Sequence, residues 1–139
     1  MHTDGEFLPA TADEARERYE QLGSRAQVVV KAVAKAMAFD SEEYDQRVTG
    51  DVVETAREAM FGEQLQVRVG TREEFEAWRE DADQTVEVIG ADNVDNVAWH
   101  APPFADTAVA ATFQDEQEAA VETLRRQAYG RLYTEMLDS

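Results

Sequence analysis

The fold class changes within one stretch of the chain, GEQLQVRVGTREE at positions 62–74. Three apolar residues alternate there with polar ones, and this period of two predicts a half-buried strand: Leu65, Val67 and Val69. Thr71 and Glu74 follow with the spacing of a capping box, which predicts a helix to about residue 81. Upstream of the strand the apolar residues recur with a helical period. The sequence therefore predicts a helical half at about 11–62 and a mixed half at about 63–137.

The helical half contains signals for about four helices, at about 11–22, 24–39, 40–47 and 52–61. The second of these is apolar around most of its circumference, because its only polar stripe consists of Gln27, Lys31 and Lys35. A helix that is apolar on its remaining faces is expected at the centre of the core. Residues 1–10 show no periodicity, and we expect them to form a loose N-terminal arm.

The mixed half continues with further apolar runs that predict strands at about 85–89, 94–100 and 107–113. A long C-terminal helix is expected from Asp115 to about Leu137. The order is thus four helices followed by β-α-β-β-β-α, an α+β fold with a small antiparallel sheet of three or four strands. Neither half is well sized to stand alone, so residues 11–139 are predicted to form a single domain.

Charge is the strongest compositional signal of the chain. Among 139 residues, 30 acidic side chains oppose 13 basic ones, which gives a net charge of −17. Only Lys31 and Lys35 are lysines, while alanine (22) and valine (15) are abundant. Such a charge repels itself unless concentrated salt screens it. This composition is typical of halophilic proteins, whose surfaces attract the solvent cations of concentrated salt, and it predicts a habitat rather than an activity.

Several classes of function are disfavoured by what the sequence lacks. The absence of cysteine removes disulfides, thiolate metal sites and thiol nucleophiles. The two histidines, His2 and His100, are too few and too far apart for a histidine-rich metal motif. No apolar run is long enough to span a membrane, and no secretory signal opens the chain, so a cytoplasmic location is expected. The sequence predicts no metal and no cofactor, names no catalytic residue, and favours a non-catalytic protein.

One segment nevertheless contains residue types that suit the wall of a ligand pocket. Trp99, His100 and Phe104 flank the rigid Pro102-Pro103 pair at the end of a predicted strand. A general base or ligand-contacting role for His100 would follow if a carboxylate oriented its ring. The alternative is structural, with the two aromatic residues as core anchors and His100 pointing outward or bonded to a loop carbonyl.

Two windows of the chain contain no acidic residue. Positions 21–39 carry only Arg25, Lys31 and Lys35 as charges, and positions 123–134 carry only Arg125, Arg126 and Arg131. Pairing with nearby acids and exclusion of carboxylates from buried helices would explain both windows. A contact for phosphate, nucleic acid or an acidic protein is the functional alternative.

The C-terminal window also holds Tyr129 and Tyr133, and this mixture of aromatic residues and arginine is favoured at protein interfaces. We therefore expect a protein partner, or a second copy of the chain, to bind at this helix or at the sheet edge. Gly130 between the tyrosines is a candidate position for close helix approach.

Positions 26–61 suggest a second hypothesis, because helix, short helix, turn and helix have the spacing of a helix-turn-helix. The would-be recognition helix at 52–61 carries Glu54 and Glu58 against Arg57, which is the wrong sign for a phosphate backbone. A nucleic-acid-associated regulator that uses a degenerate version of this motif is thus an alternative to a protein-interaction module.

Three segments are similar to segments of a small haloarchaeal family known only as a domain of unknown function: VTGDVVETAR at 48–57, VAWHAPPF at 97–104, and ATFQDE at 111–116 with LRRQ at 124–127. The similarity extends from about Ala12 to Tyr133. It implies the saline habitat and a single domain, and it carries no activity, cofactor or catalytic residue.

Overall fold

A mixed five-stranded sheet runs through the computed structural model, which describes residues 1–137. Its strands are β1 (His2–Asp4), β2 (Val67–Thr71), β3 (Thr85–Ile89), β4 (Asn96–His100) and β5 (Thr107–Phe113). Their order across the sheet is β1-β2-β4-β5-β3. The helices are α1 (Ala12–Ala36), α2 (Ser41–Arg47), α3 (Gly50–Gln64), α4 (Arg72–Asp81), α5 (Gln117–Ala128) and the short α6 (Thr134–Leu137). The predicted mixed α+β class is confirmed.

The prediction of an antiparallel sheet of three or four strands is wrong in two respects. The sheet has a fifth strand at the N-terminus, and β3 pairs with β5 in parallel, with Thr85 opposite Thr107. Burial explains this order. Four consecutive residues of β4, Val97–His100, are buried, so β4 needs neighbours on both sides. β3 carries the exposed Glu87 and Val88 and is suited to an edge.

The N-terminal segment is ordered, and the expectation of a loose arm over residues 1–10 is wrong. β1 pairs antiparallel with β2, and Phe7 N–H donates to Gln64 O at 2.8 Å. Phe7 is buried against Phe61, with ring centroids 5.7 Å apart. Three residues of strand are too short to show a period, which is why the sequence gives no signal for this pairing.

Helix α1 continues through Gly23, where the sequence predicted a break between two helices. The α-carbon of Gly23 faces Arg57 of α3, and an added Cβ would lie 3.5 Å from the guanidinium carbon. Arg57 Nε donates to Tyr19 O at 2.7 Å. Gly23 therefore lies at the contact between α1 and α3 and does not end its own helix. The four predicted N-terminal helices are accordingly three.

The sheet separates two apolar clusters of unequal size. On one face α1, α3 and α5 cover a large cluster whose biggest buried members are Leu22, Phe61, Leu65, Leu124 and Tyr133. On the other face α4 alone covers a small cluster of Phe75, Val97, Trp99 and Ala110, with Trp78 partly buried beside it. Successive residues of a strand point to opposite faces, so Trp99 and His100 lie in different clusters.

The C-terminal helical segment is interrupted by one π-turn, Tyr129–Tyr133, between α5 and α6. Thr134 N–H donates to Tyr129 O, five residues back. The extra residue shifts the buried face: Ala128 is followed inward by Tyr133, while the expected inward residue Leu132 is only half-buried. Gly130 is exposed and an added Cβ would meet nothing within 4 Å in the chain itself, so the close approach of a partner helix at Gly130 stays a prediction. The start of the C-terminal helix also differs from the prediction, because Glu116 rather than Asp115 is the N-cap of α5.

Candidate functional site

Trp99 is fully buried on the face covered by α4. Its ring lies 5.2 Å from the Phe75 ring and 5.6 Å from the Trp78 ring, measured between centroids. Its indole Nε1 has no hydrogen-bond partner among residues 1–137. Because the side chain is sealed by α4 and the neighbouring strands, Trp99 is a core anchor in this arrangement.

His100 is fully buried on the opposite face, and both of its ring nitrogens are occupied. Nδ1 lies 2.7 Å from Gln66 O and Nε2 lies 2.8 Å from Tyr133 Oη. A carbonyl only accepts, so Nδ1 carries the proton, and Nε2 accepts from the tyrosine hydroxyl. This one side chain joins β4, the segment before β2 and the π-turn. The contact to Gln66 O is the loop-carbonyl bond that the structural alternative anticipated.

The surroundings of His100 hold its ring neutral. Burial is the main cause that lowers its pKa from 6.5 to about 4; the bond to Gln66 O opposes that shift, and the positive charge of Arg125 adds to it. Burial also raises the pKa of Tyr133. A general base must reach a proton on a substrate. His100 has no exposed surface and both of its ring nitrogens are bonded inside the protein, so its role in this arrangement is structural.

The aromatic residues of the C-terminal window assemble around the same point. Tyr133 packs on Phe61, Phe104 and Tyr129, with ring centroids 5.1, 5.3 and 6.5 Å away. Tyr133 is buried, and Tyr129 and Phe104 are half-buried. These rings pack mainly in the core, so they leave little aromatic surface for a partner to contact.

The three arginines of this window have separate roles. Arg125 is half-buried, donates from Nε to Leu65 O at 3.1 Å and lies 3.8 Å from an Asp4 carboxylate oxygen. Arg131 pairs with Glu87 of β3 at 3.2 Å. Arg126 is exposed. Two of the three therefore tie the C-terminal segment to the N-terminus and to the sheet edge.

The basic residues of the other window stay at the surface. Arg25, Lys31 and Lys35 are exposed on α1 and make no ion pair or hydrogen bond with any residue from 1 to 137. Lys31 lines a shallow groove of about 250 Å³ with Tyr44 of α2 and Val53 of α3. The explanation that each basic group is neutralised by a nearby acid does not hold for these three.

The same part of α1 exposes apolar side chains, and the prediction that this helix lies at the centre of the core is wrong. Val28, Val29 and Val33 are 66%, 46% and 52% exposed. With Ala32 and Ala36, which are also exposed, they form one face that we call the α1 patch. The stripe that does face the protein consists of Ala26, Val30 and Ala34.

The α1 patch lies on a thin part of the molecule. α1 and α3 are antiparallel, since Tyr19 bonds Glu54 and lies against Phe61 while the later Lys31 lies near Val53. Over the outer part of this pair α3 buries no residue, and Val52 is 42% exposed. α2 buries none either. The outer half of α1, Ser24–Ala36, is thus supported by one stripe of small side chains.

Eight of the eleven site residues predicted from the sequence fall into two groups, whereas Trp99 lies on the opposite face of the sheet and Arg126 and Arg131 are exposed elsewhere. His100, Phe104, Arg125, Tyr129 and Tyr133 meet in one interior cluster, while Arg25, Lys31 and Lys35 share an exposed helix face. The valines of the α1 patch were missed as surface residues. The sequence shows only that this helix is apolar all round, and the structure is needed to show that the protein covers one side of it.

Searches for other kinds of site add little. Among the described residues no group of three or more histidine, aspartate or glutamate side chains is placed to hold a metal ion. Within residues 1–137, the helices are too short or too polar to cross a bilayer.

Comparison with known proteins identifies the family of the chain. Residues 6–134 match the model of a family of unknown function (DUF5809), and the chain belongs to that family. No curated protein and no solved structure matches it. The resemblance to an uncharacterised family is thereby confirmed, while a haloarchaeal origin stays a prediction.

Proposed function

We propose that this member of the family is a non-catalytic protein-interaction module that docks another protein surface through the α1 patch. The observation that carries the proposal is the exposure of Val28, Val29 and Val33 on one acid-free helix face. Contiguous exposed apolar residues mark interaction surfaces more often than isolated ones do. In a chain of net charge −17, this face is where another acidic surface meets least repulsion.

The energy available from the valines sets what else the partner must contact. Burying a valine completely is worth about 1.5–3 kcal/mol, so covering the exposed half of three valines gives about 3 kcal/mol. Association costs at least about 4 kcal/mol in lost freedom. The valines alone are insufficient, and the partner must also contact the basic residues beside them.

Arg25, Lys31 and Lys35 supply that second contribution. They have no acidic partner within residues 1–137, and carboxylates of a docking partner would complete them. Such charge pairs also fix the orientation of the partner and speed association. The partner surface therefore combines small apolar side chains with acidic ones.

The composition supports a concentrated-salt, cytoplasmic setting for this interaction. Salt at molar concentration shortens the Debye length to about 3 Å and strengthens apolar association. A docking surface made of valine and alanine gains under those conditions, and the acidic remainder of the surface retains water and solvent cations.

A photo-crosslinking side chain placed at Ala32 tests the proposal in cells that naturally produce the protein. We expect covalent protein adducts of defined mass, and we expect the double variant Val29→Glu/Val33→Glu to remove them. The matched control carries the crosslinker at Val88, which is 39% exposed on β3.

Equal adducts from both positions, or adducts unaffected by the glutamates, would contradict docking at the α1 patch. Adducts that disappear with nuclease treatment would replace the proposal by the nucleic-acid alternative.

A further inference from the structure

We infer that the partner of the α1 patch is a second copy of this chain, bound with the two α1 helices antiparallel about a two-fold axis. This inference rests on the proposed docking function of the patch and names its occupant. The two copies would combine α1 and α3 of each chain into a four-helix arrangement.

Self-pairing is favoured first by the spacing of the exposed residues. Arg25, Val29, Ala32 and Ala36 follow one another at intervals of four, three and four, which is the spacing of a helix-pairing seam. In an antiparallel pair centred between positions 30 and 31, Val29 of one copy lies level with Ala32 of the other. Each Val29 then faces an alanine, whose small side chain permits close approach of the helices.

The second support is the thinness of the outer half of α1. Only Ala26, Val30 and Ala34 are buried along Ser24–Ala36, and α2 contributes no buried residue. Most helical stability in proteins comes from packing of an apolar face. A two-fold pair covers the patches of both copies at once, so one interface buries six exposed valines instead of three.

Charge gives the third support. A two-fold axis brings each end of the seam to the opposite end of the seam in the second copy. Arg25 of one copy therefore lies level with the C-terminal end of the second copy's α1, where the helix dipole favours a cation. The acidic start of α2, with Asp40, Glu42 and Glu43, follows that end directly. Arg25, the one charged residue of the seam, is thus placed toward acidic side chains that lie just beyond the seam in the second copy.

Sedimentation in molar KCl measures the association directly. We expect a mass of two 15.6 kDa chains, and we expect Val29→Glu/Val33→Glu to raise the dissociation constant at least about thirtyfold by burying charge in the seam. The control Val88→Glu, on β3, should leave the dimer intact. A dimer that survives the double variant, or one that Val88→Glu dissociates, would place the interface elsewhere and overturn the inference.

Disulfide trapping tests the orientation, since the chain has no cysteine of its own. In a mixture of the variants Val29→Cys and Ala32→Cys, the antiparallel seam predicts that mixed disulfides predominate. Predominant self-disulfides within each variant would indicate a parallel pair and overturn the geometry.

Sedimentation and crosslinking together separate the two proposals. A strict monomer whose Ala32 crosslinker still captures a different protein would overturn self-pairing and leave the docking function standing. A strict monomer that captures nothing in a patch-dependent way would overturn both.

Discussion

The two halves of α1 belong to one continuous helix and have opposite designs. The inner half, Ala12–Gly23, buries Ala15, Tyr19 and Leu22 in the main core and turns acidic side chains outward. The outer half, Ser24–Ala36, buries only small side chains and turns valines outward. A helix normally exposes its polar face, and the inner half does so.

The apolar side chains of α1 are buried in its inner half and largely exposed in its outer half, so apolar content does not determine burial along this helix. No acidic residue lies between Glu20 and Asp40, so the exposed face of the outer half carries no negative charge and is apolar. The predicted adaptation to concentrated salt would account for the acidic inner half, and it would not account for the outer half. An interface explains both properties of the outer half at once.

The inner half should be the more sensitive to loss of core volume. Phe61 of α3 is fully buried and packs its ring on Phe7, Tyr19, Tyr129 and Tyr133. We expect Phe61→Ala to lower the free energy of unfolding by about 3–5 kcal/mol, because the cavity lies between four rings that cannot all collapse into it. Denaturant unfolding in molar KCl measures this change. A loss below about 1 kcal/mol would show that the core is looser than the ring contacts indicate.

Acid should destabilise the inner core through His100. The folded pKa of about 4 lies below the ordinary 6.5, so between these values the unfolded chain binds a proton that the folded chain refuses. Stability from this group is complete above about pH 6.5 and is lost as the pH falls to about 4, by about 3 kcal/mol in all.

The free energy of unfolding measured across that pH range checks the effect, with His100→Gln as the comparison because its side chain does not titrate. The variant should show a shallower loss over the same range. Parallel curves for the two proteins would mean that His100 is protonated in the fold.

Two valines of the outer half form a matched pair two residues apart. Val30 faces the protein at 9% exposure and Val28 faces away at 66%. We expect Val30→Ala to cost about 1.5 kcal/mol, from two lost methyl-sized groups. Val28→Ala should change the stability of the dilute protein by less than about 0.5 kcal/mol.

Unfolding at several protein concentrations separates this intrinsic effect from association, which stabilises the folded chain by mass action. Equal losses for the two variants in the dilute limit would contradict the one-sided packing of the outer half.

Much of the local structure was readable from the sequence because local chemistry decides it. The cap predicted at Thr71 accepts the backbone N–H of Glu74, and β2 follows the strand alternation to within two residues. Side-chain oxygens and period-two patterns act over a few residues, so no distant contact was needed to predict them.

The candidate site was only partly readable, since its members meet through long-range packing. The bond from His100 to Tyr133 spans 33 positions, and Tyr133 is directed inward by a π-turn that the apolar periodicity of the helix does not predict. The exposure of Val29 and Val33 depends on which neighbour is missing, and a period in the sequence contains no information about that.

The sequence by itself determined the mixed α+β class, the limits of α2 and α4 and the place where acidity stops. Only the tertiary structure decided that β3 joins the sheet edge in parallel, that His100 is sealed between Gln66 and Tyr133, and that the outer half of α1 is uncovered. The physical reason is one of range. Helix caps and strand periods are set by neighbours in the chain, whereas burial is set by the elements that pack on each face. An apolar helix therefore has the same sequence pattern whether the core of its own protein or a separate partner covers it.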